Sequence, residues 1–176
     1  MIYTSSESEK HAILEVAHGM VAVARTAPKA CGIDNIETFI VDGEDKDKLS
    51  AEMRKLTEET GVVHFGRDGS NVDASECVVF IGVANKPVGL QNCALCGFED
   101  CGTMAKAGGR CALNIDDLGI ATGAAVAFAA DHRIDNRIMY TAGKAALRLG
   151  WFSKSVTIGW GIPLSALGKS PYFDRK

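Results

Sequence analysis

The chain of 176 residues has no basic tract and no interleaving of basic with aromatic side chains, and its nineteen lysines and arginines are outnumbered by twenty-two acidic residues. A formal charge of -3 gives a nucleic-acid backbone little to hold, so nucleic acid is not an expected partner. No uncharged run reaches the ~20 residues needed to cross a hydrocarbon layer. The run at roughly 118–130 is expected to be a buried helix. The first twenty residues carry acids where a secretory signal would carry positive charge, and His11 and His18 interrupt their apolar stretch. No export signal is expected, and the chain reads as cytoplasmic with no membrane partner. Internal repeats and low-complexity linkers are also missing. One domain over residues 1–176 is the expected organisation, and 47% hydrophobic residues let it bury a core without disulfides.

Cysteine is present in an uneven pattern. Four of the six fall within nineteen residues, Cys93, Cys96, Cys101 and Cys111, giving the spacing C-x2-C-x4-C-x9-C. Such clustering in a chain without an export signal points to metal or cluster ligation rather than to a disulfide framework. A 4Fe-4S cluster needs four local thiolates and closely approaching backbone amides, and Gly97, Gly102, Gly108 and Gly109 permit that approach. Zinc is the alternative. Its closed four-cysteine sites usually use two well-separated C-x2-C pairs, and only one such pair is found here. Cys31 and Cys77 each read first as a small buried hydrophobe; Cys77 opens an apolar run and fits that reading well, and for Cys31, in a loop between Pro28 and Gly32, a place at the redox centre is the lesser alternative, by position alone.

Periodicity sets the expected elements. Ile13, Leu14, Val16, Met20, Val21 and Val23 predict a helix over 7–26, closed by Pro28. Residues 36–41 read as a strand ending in the Asp42-Gly43 turn. Asp45 is placed as the cap of a helix over 46–60 that Gly61 stops. A short strand is expected at 62–65, then an irregular loop at 66–71. The β-branched run 77–83 has the character of a central strand covered on both faces. Helices follow over 115–130 and 136–149, then a last strand at 156–160 and an irregular tail from Pro163. Asp116 and Asp117 are expected to cap the small-residue helix rather than act as an acid-base pair. His18, His64 and His132 lack metal-ligand spacing, and Gly-Trp-Gly around Trp160 lacks the setting of a dinucleotide fingerprint. Trp151 and Trp160 read as core or interface residues.

The cysteine segment resembles the iron-sulfur modules of corrinoid iron-sulfur proteins and related electron-transfer subunits, which share C-x2-C-x4-C and its Cys-Gly-Phe context. Here the fourth cysteine arrives sooner, and no proline follows Cys111 as in the bacterial ferredoxin run. Residues 22–56, with an Ala-Pro segment between a helix and a strand and a charged helix beyond, resemble the early part of nitroreductase-type flavoproteins. The later order, an apolar strand, a buried helix and a final strand, is also similar. That resemblance implies an α+β fold, a three-layer sandwich with a central mixed, mainly antiparallel sheet and an inserted cluster loop at 92–112. It also implies a homodimer with FMN at the subunit interface. The chain is expected to begin too late for that family's arginine-rich segment, which grips the FMN phosphate. Arg25 and Lys29, beside the Ala-Pro segment, read as surface charges rather than its replacement.

The whole chain resembles the bacterial and archaeal family of uncharacterised ferredoxin-domain proteins, for which no reaction is established. Three functions follow: a one-electron carrier, an FMN-dependent oxidoreductase with an accessory cluster, or a structural zinc or redox-sensing protein.

Overall fold

The computed structural model describes residues 1–173. Helix α1 (Ser5–Thr26) starts in a capping box: the Thr4 hydroxyl accepts the Glu7 amide at 3.3 Å, and the Glu7 carboxylate accepts the Thr4 amide at 2.8 Å. Its other end is closed by Lys29, whose Nζ donates to the carbonyls of Ala24 and Arg25 at 2.8 and 2.5 Å. A single 3-10 turn (Ala30–Gly32) leads to strand β1 (Ile36–Asp42) and helix α2 (Gly43–Thr60). This helix begins earlier than the sequence predicts. Asp45 is not its cap but lies in its first turn, paired with Lys48 at 2.7 Å. Gly61 ends it as expected, in the left-handed region at φ 72.

The strand and loop expected at 62–71 are instead one helix, α3 (Val63–Asp73), burying Phe65, Asp68, Gly69 and Val72. Its glycines mark close packing rather than turns. A Cβ on Gly69 would lie 3.3 Å from the Ser50 carbonyl of α2, and one on Gly66 would lie 3.1 Å from the Thr57 hydroxyl. The buried Asp68 carboxylate is held by Arg67 and by the Thr141 hydroxyl at 2.7 Å.

Strand β2 (Cys77–Ala84) follows, buried along its whole length. After a long loop come the short helix α4 (Cys101–Lys106), helix α5 (Ala112–Asp131), the two-residue strand β3 (Asp135–Asn136), helix α6 (Tyr140–Arg148) and strand β4 (Val156–Ser165). The sheet order is β1-β2-β4-β3, and every strand pairing among the described residues is antiparallel. The mainly antiparallel sheet is borne out, without a parallel pair. The helix expected from 136 starts only at Tyr140, because Asn136 and Met139 pair with Leu164 and Gly161 of β4.

β4 continues through Pro163, where an irregular tail was expected. Gly161 exchanges both backbone bonds with Met139, so two-residue alternation turns the Pro163 nitrogen to the same side. That neighbour is interrupted between Asn136 and Met139, and the missing N–H costs no ladder bond.

Alternation along β2 builds the two cores. Cys77, Val79, Ile81 and Val83 face the layer of α1 and α5, where Met20, Leu118 and Ala125 are buried. Val78 and Phe80 face α2, α3 and α6, with Leu49, Met53 and Ala142. α5 spans 20 residues and passes by length and composition for a helix able to cross a membrane, longer than the run foreseen at 118–130. Here it buries Leu118, Ala121, Ala125 and Ala129 within the first core.

Candidate metal centre

The loop between β2 and α5 turns sharply. Asn92 and Ala94 adopt φ values of 54 and 48 without being glycine, and Gly97 follows at 82. Left-handed residues interspersed in a tight turn aim backbone amides into concavities of the kind that suit iron-sulfur groups. The Asp100 carboxylate then accepts the Thr103 amide at 2.7 Å and starts α4, whose first residue is Cys101. That amide holds the Asp100 carboxyl below the usual carboxylate range. Gly109 closes the turn against Met104 and Phe98: a Cβ there would meet Met104 Cγ at 2.9 Å and the Phe98 ring at 3.1 Å.

This path brings Cys93, Cys96, Cys101 and Cys111 to the lining of one cavity of about 280 Å³. Cys111, immediately before α5, is buried; the other three are half-buried, and none is in a disulfide. Phe98, Met104 and Leu113 share the lining, so the thiols stand against an apolar wall.

A tetrahedral zinc places its sulfurs about 2.3 Å from a single point. Among the described residues, no three histidine, cysteine or acidic side chains are gathered closely enough to hold one metal ion. Four cysteines lining one cavity are the donor set that an iron-sulfur cluster takes. Bound there, a cluster would take the four thiolates, with a backbone curled by Asn92, Ala94 and Gly97 beside it.

Both ends of the loop are tied by a residue the sequence reading passed over. Asn114, buried in the first turn of α5, donates through Nδ2 to the carbonyls of Ala84 and Lys86 at 3.1 and 2.7 Å. Its only sequence signal is an asparagine three places after the last clustered cysteine. Asn85 Nδ2 reaches the Gly109 carbonyl at 3.4 Å from the strand side.

The remaining candidates lie elsewhere. Cys77 is buried in the core, where burial pushes its thiol up to about 12, as suits a packing residue. Cys31 is exposed in the 3-10 turn and is not part of the cavity lining. Asp117 does not cap α5. It is buried, and its Oδ1 accepts the Ala30 amide at 2.8 Å, which fastens the turn carrying Cys31 to α5. His18, His64 and His132 are exposed, and Trp151 and Trp160 are half-buried.

Arg25 and Lys29 are both engaged within the chain. Arg25 donates to Asp34 at 2.5 Å and to the Ile36 carbonyl at 2.9 Å, while Lys29 caps α1. Neither is placed as a free phosphate contact for FMN.

Comparison with known proteins agrees with this organisation. Solved structures share the fold at low identity. A nitroreductase with bound FMN from Desulfitobacterium hafniense aligns over 96% of this chain and 81% of its own, with a TM-score of 0.54 at 13% identity. The FMN-dependent nitroreductase of Mycobacterium smegmatis, solved with NADPH, aligns over 88% and 78%, with a TM-score of 0.60 at 12% identity. The fold is thus nitroreductase-like and α+β, as the resemblance implied.

Residues 107–175 match the family described as uncharacterized protein containing a ferredoxin domain, a segment that includes Cys111 of the four clustered cysteines. An uncharacterized protein of Archaeoglobus fulgidus is 42% identical over 184 residues, spanning 99% of this chain and 98% of the relative. The chain belongs to this family of uncharacterized proteins containing a ferredoxin domain.

Proposed function

We propose that the protein is a redox carrier holding one 4Fe-4S cluster through Cys93, Cys96, Cys101 and Cys111. The observation that carries this reading is that all four cysteines line one cavity. The ferredoxin-domain family supports iron-sulfur chemistry of this kind. A bound cluster supplies one-electron transfer. The chain's own part is to hold four thiolates in a fixed loop, to keep Cys111 buried, and to shield one side with Phe98 and Met104. Residues 92–112 form the binding insert within a single domain, and the protein works in the cytoplasm. Cys-to-Ser variants, read by iron, sulfide and the visible spectrum of anaerobic protein, test the ligand set.

The protein works as a homodimer. α5 is apolar around most of its circumference, which ordinarily means burial on all sides, yet Gly119, Ile120 and Gly123 face outward with open space beyond the two glycines. Sedimentation at several concentrations, with Gly123→Leu as the disrupting variant, tests that face.

A second reading, an FMN-dependent oxidoreductase in which the cluster is accessory, draws on the fold shared with FMN-bound nitroreductases. Flavin released from purified protein on denaturation would support it.

A further inference from the structure

We propose that the mouth of the cysteine cavity is the docking face for a protein electron carrier whose own cofactor edge emerges from an apolar patch ringed by lysine or arginine. The proposal rests on the cluster reading above. Leu90 and Leu95 line the cavity yet stand 44% and 66% exposed. Single exposed leucines are ordinary on a protein surface. These two flank the same cavity as all four clustered thiols, and Leu95 lies between Cys93 and Cys96.

Charge gives the partner its sign. The charged residues that line the cavity are Glu99 and Asp100, both acidic and both exposed. The basic residues of the same segment, Lys86, Lys106 and Arg110, are outside the lining, and Arg110 turns back onto the carbonyls of Gly108 and Gly109 at 2.8 and 3.0 Å. An apolar centre with an acidic border complements an apolar centre with a basic border. Redox encounters use small interfaces, below about 1,200 Å². In such a contact a few apolar anchors carry the affinity and border charges set the encounter rate. The transfer served is one electron between cluster and partner, with no bond made and no proton moved.

The test is a binding measurement on the full chain with its cluster reconstituted anaerobically. Zinc-porphyrin cytochrome c, kept in the dark, serves as the probe: it keeps a lysine border around its cofactor edge and exchanges no electron. Calorimetry is expected to show association at low ionic strength that weakens about tenfold at physiological salt. Leu95→Gln and Leu90→Gln are each expected to weaken it by about five- to tenfold, roughly 1 to 1.4 kcal/mol. Glu99→Gln is expected to act mainly through the salt dependence. Iron and sulfide are counted on every sample, so a loss of binding is separated from a loss of cluster.

Absent binding, or binding indifferent to salt and to both leucines in cluster-replete protein, would overturn the docking face and leave the cluster reading standing. Dissociation of a self-associated protein by Leu95→Gln would also overturn it, by making a second copy the occupant. Wild-type protein that takes up no cluster would overturn both readings.

Discussion

Asn114 donates its side-chain amide to the carbonyl of Lys86 at 2.7 Å, joining the first turn of α5 to the point where the chain leaves β2 for the cysteine loop. The same nitrogen reaches the Ala84 carbonyl at 3.1 Å, so one buried side chain fixes the entrance and exit of the loop. Asn114→Ala removes two hydrogen bonds, a loss of about 1–3 kcal/mol, while the Lys86 amide and Asn35 still donate to the two carbonyls. Urea unfolding should show it, along with faster loss of iron from reconstituted protein. Unchanged stability and iron retention would contradict the clamp.

The six cysteines should divide into two classes. Serine at 93, 96, 101 or 111 is expected to remove most bound iron and sulfide, because each of these residues lines the cavity. Serine at 31 or 77 is expected to retain them, since Cys31 stands outside the lining and Cys77 is in the core. The Cys77→Ser variant also loses some stability, as a hydroxyl replaces a buried thiol. Iron and sulfide assays decide the matter, and a Cys31→Ser protein as depleted as Cys111→Ser would revise the ligand set.

Much of this organisation was legible because local pattern and tertiary environment agree. β2 reads as a central strand because every one of its residues is buried. The cysteine spacing picked out four side chains that line one cavity. α3 was hidden because Gly66 and Gly69 look like turn residues in isolation, and only the approach of α2 explains them. Pro163 by itself reads as the end of β4, and its tolerance depends on a gap in a neighbour distant in sequence. Asp117 looked like a cap, but its partner is the Ala30 amide, 87 residues away. Hydrogen bonds of such separation leave no periodic trace.

The contact between α6 and β4 is closer than any side chain allows. A Cβ on Gly143 would lie 1.8 Å from the Gly159 carbonyl oxygen, with backbone on both sides. Gly143→Ala must therefore move the helix off the strand, and a cost of about 3 kcal/mol is expected, at the upper end for overpacking. Chemical denaturation measures it. A variant as stable as the parent would show that this junction is looser than the structure has it.

Asp34 links stability to pH. Its partial burial pushes the carboxyl upward, but the hydrogen bond from Arg25, the Ile36 amide and the charges of Arg25 and Lys29 together hold it below the usual range. A carboxyl lowered by folding stabilises the protein fully above its unfolded pKa of about 3.9, and that contribution fades as pH falls through the folded value. Asp34→Asn should lower the melting temperature at pH 7, and its difference from the parent should shrink below about pH 4. A difference constant down to pH 2 would contradict this ion pair's role.

The most direct test of the central claim is to count iron, acid-labile sulfide and zinc per chain on protein purified without oxygen. About four iron and four sulfide per chain, with a visible spectrum that bleaches on reduction, is the result expected of a 4Fe-4S carrier. One zinc per chain, with no iron or sulfide even after anaerobic reconstitution, would contradict it and leave a structural metal site.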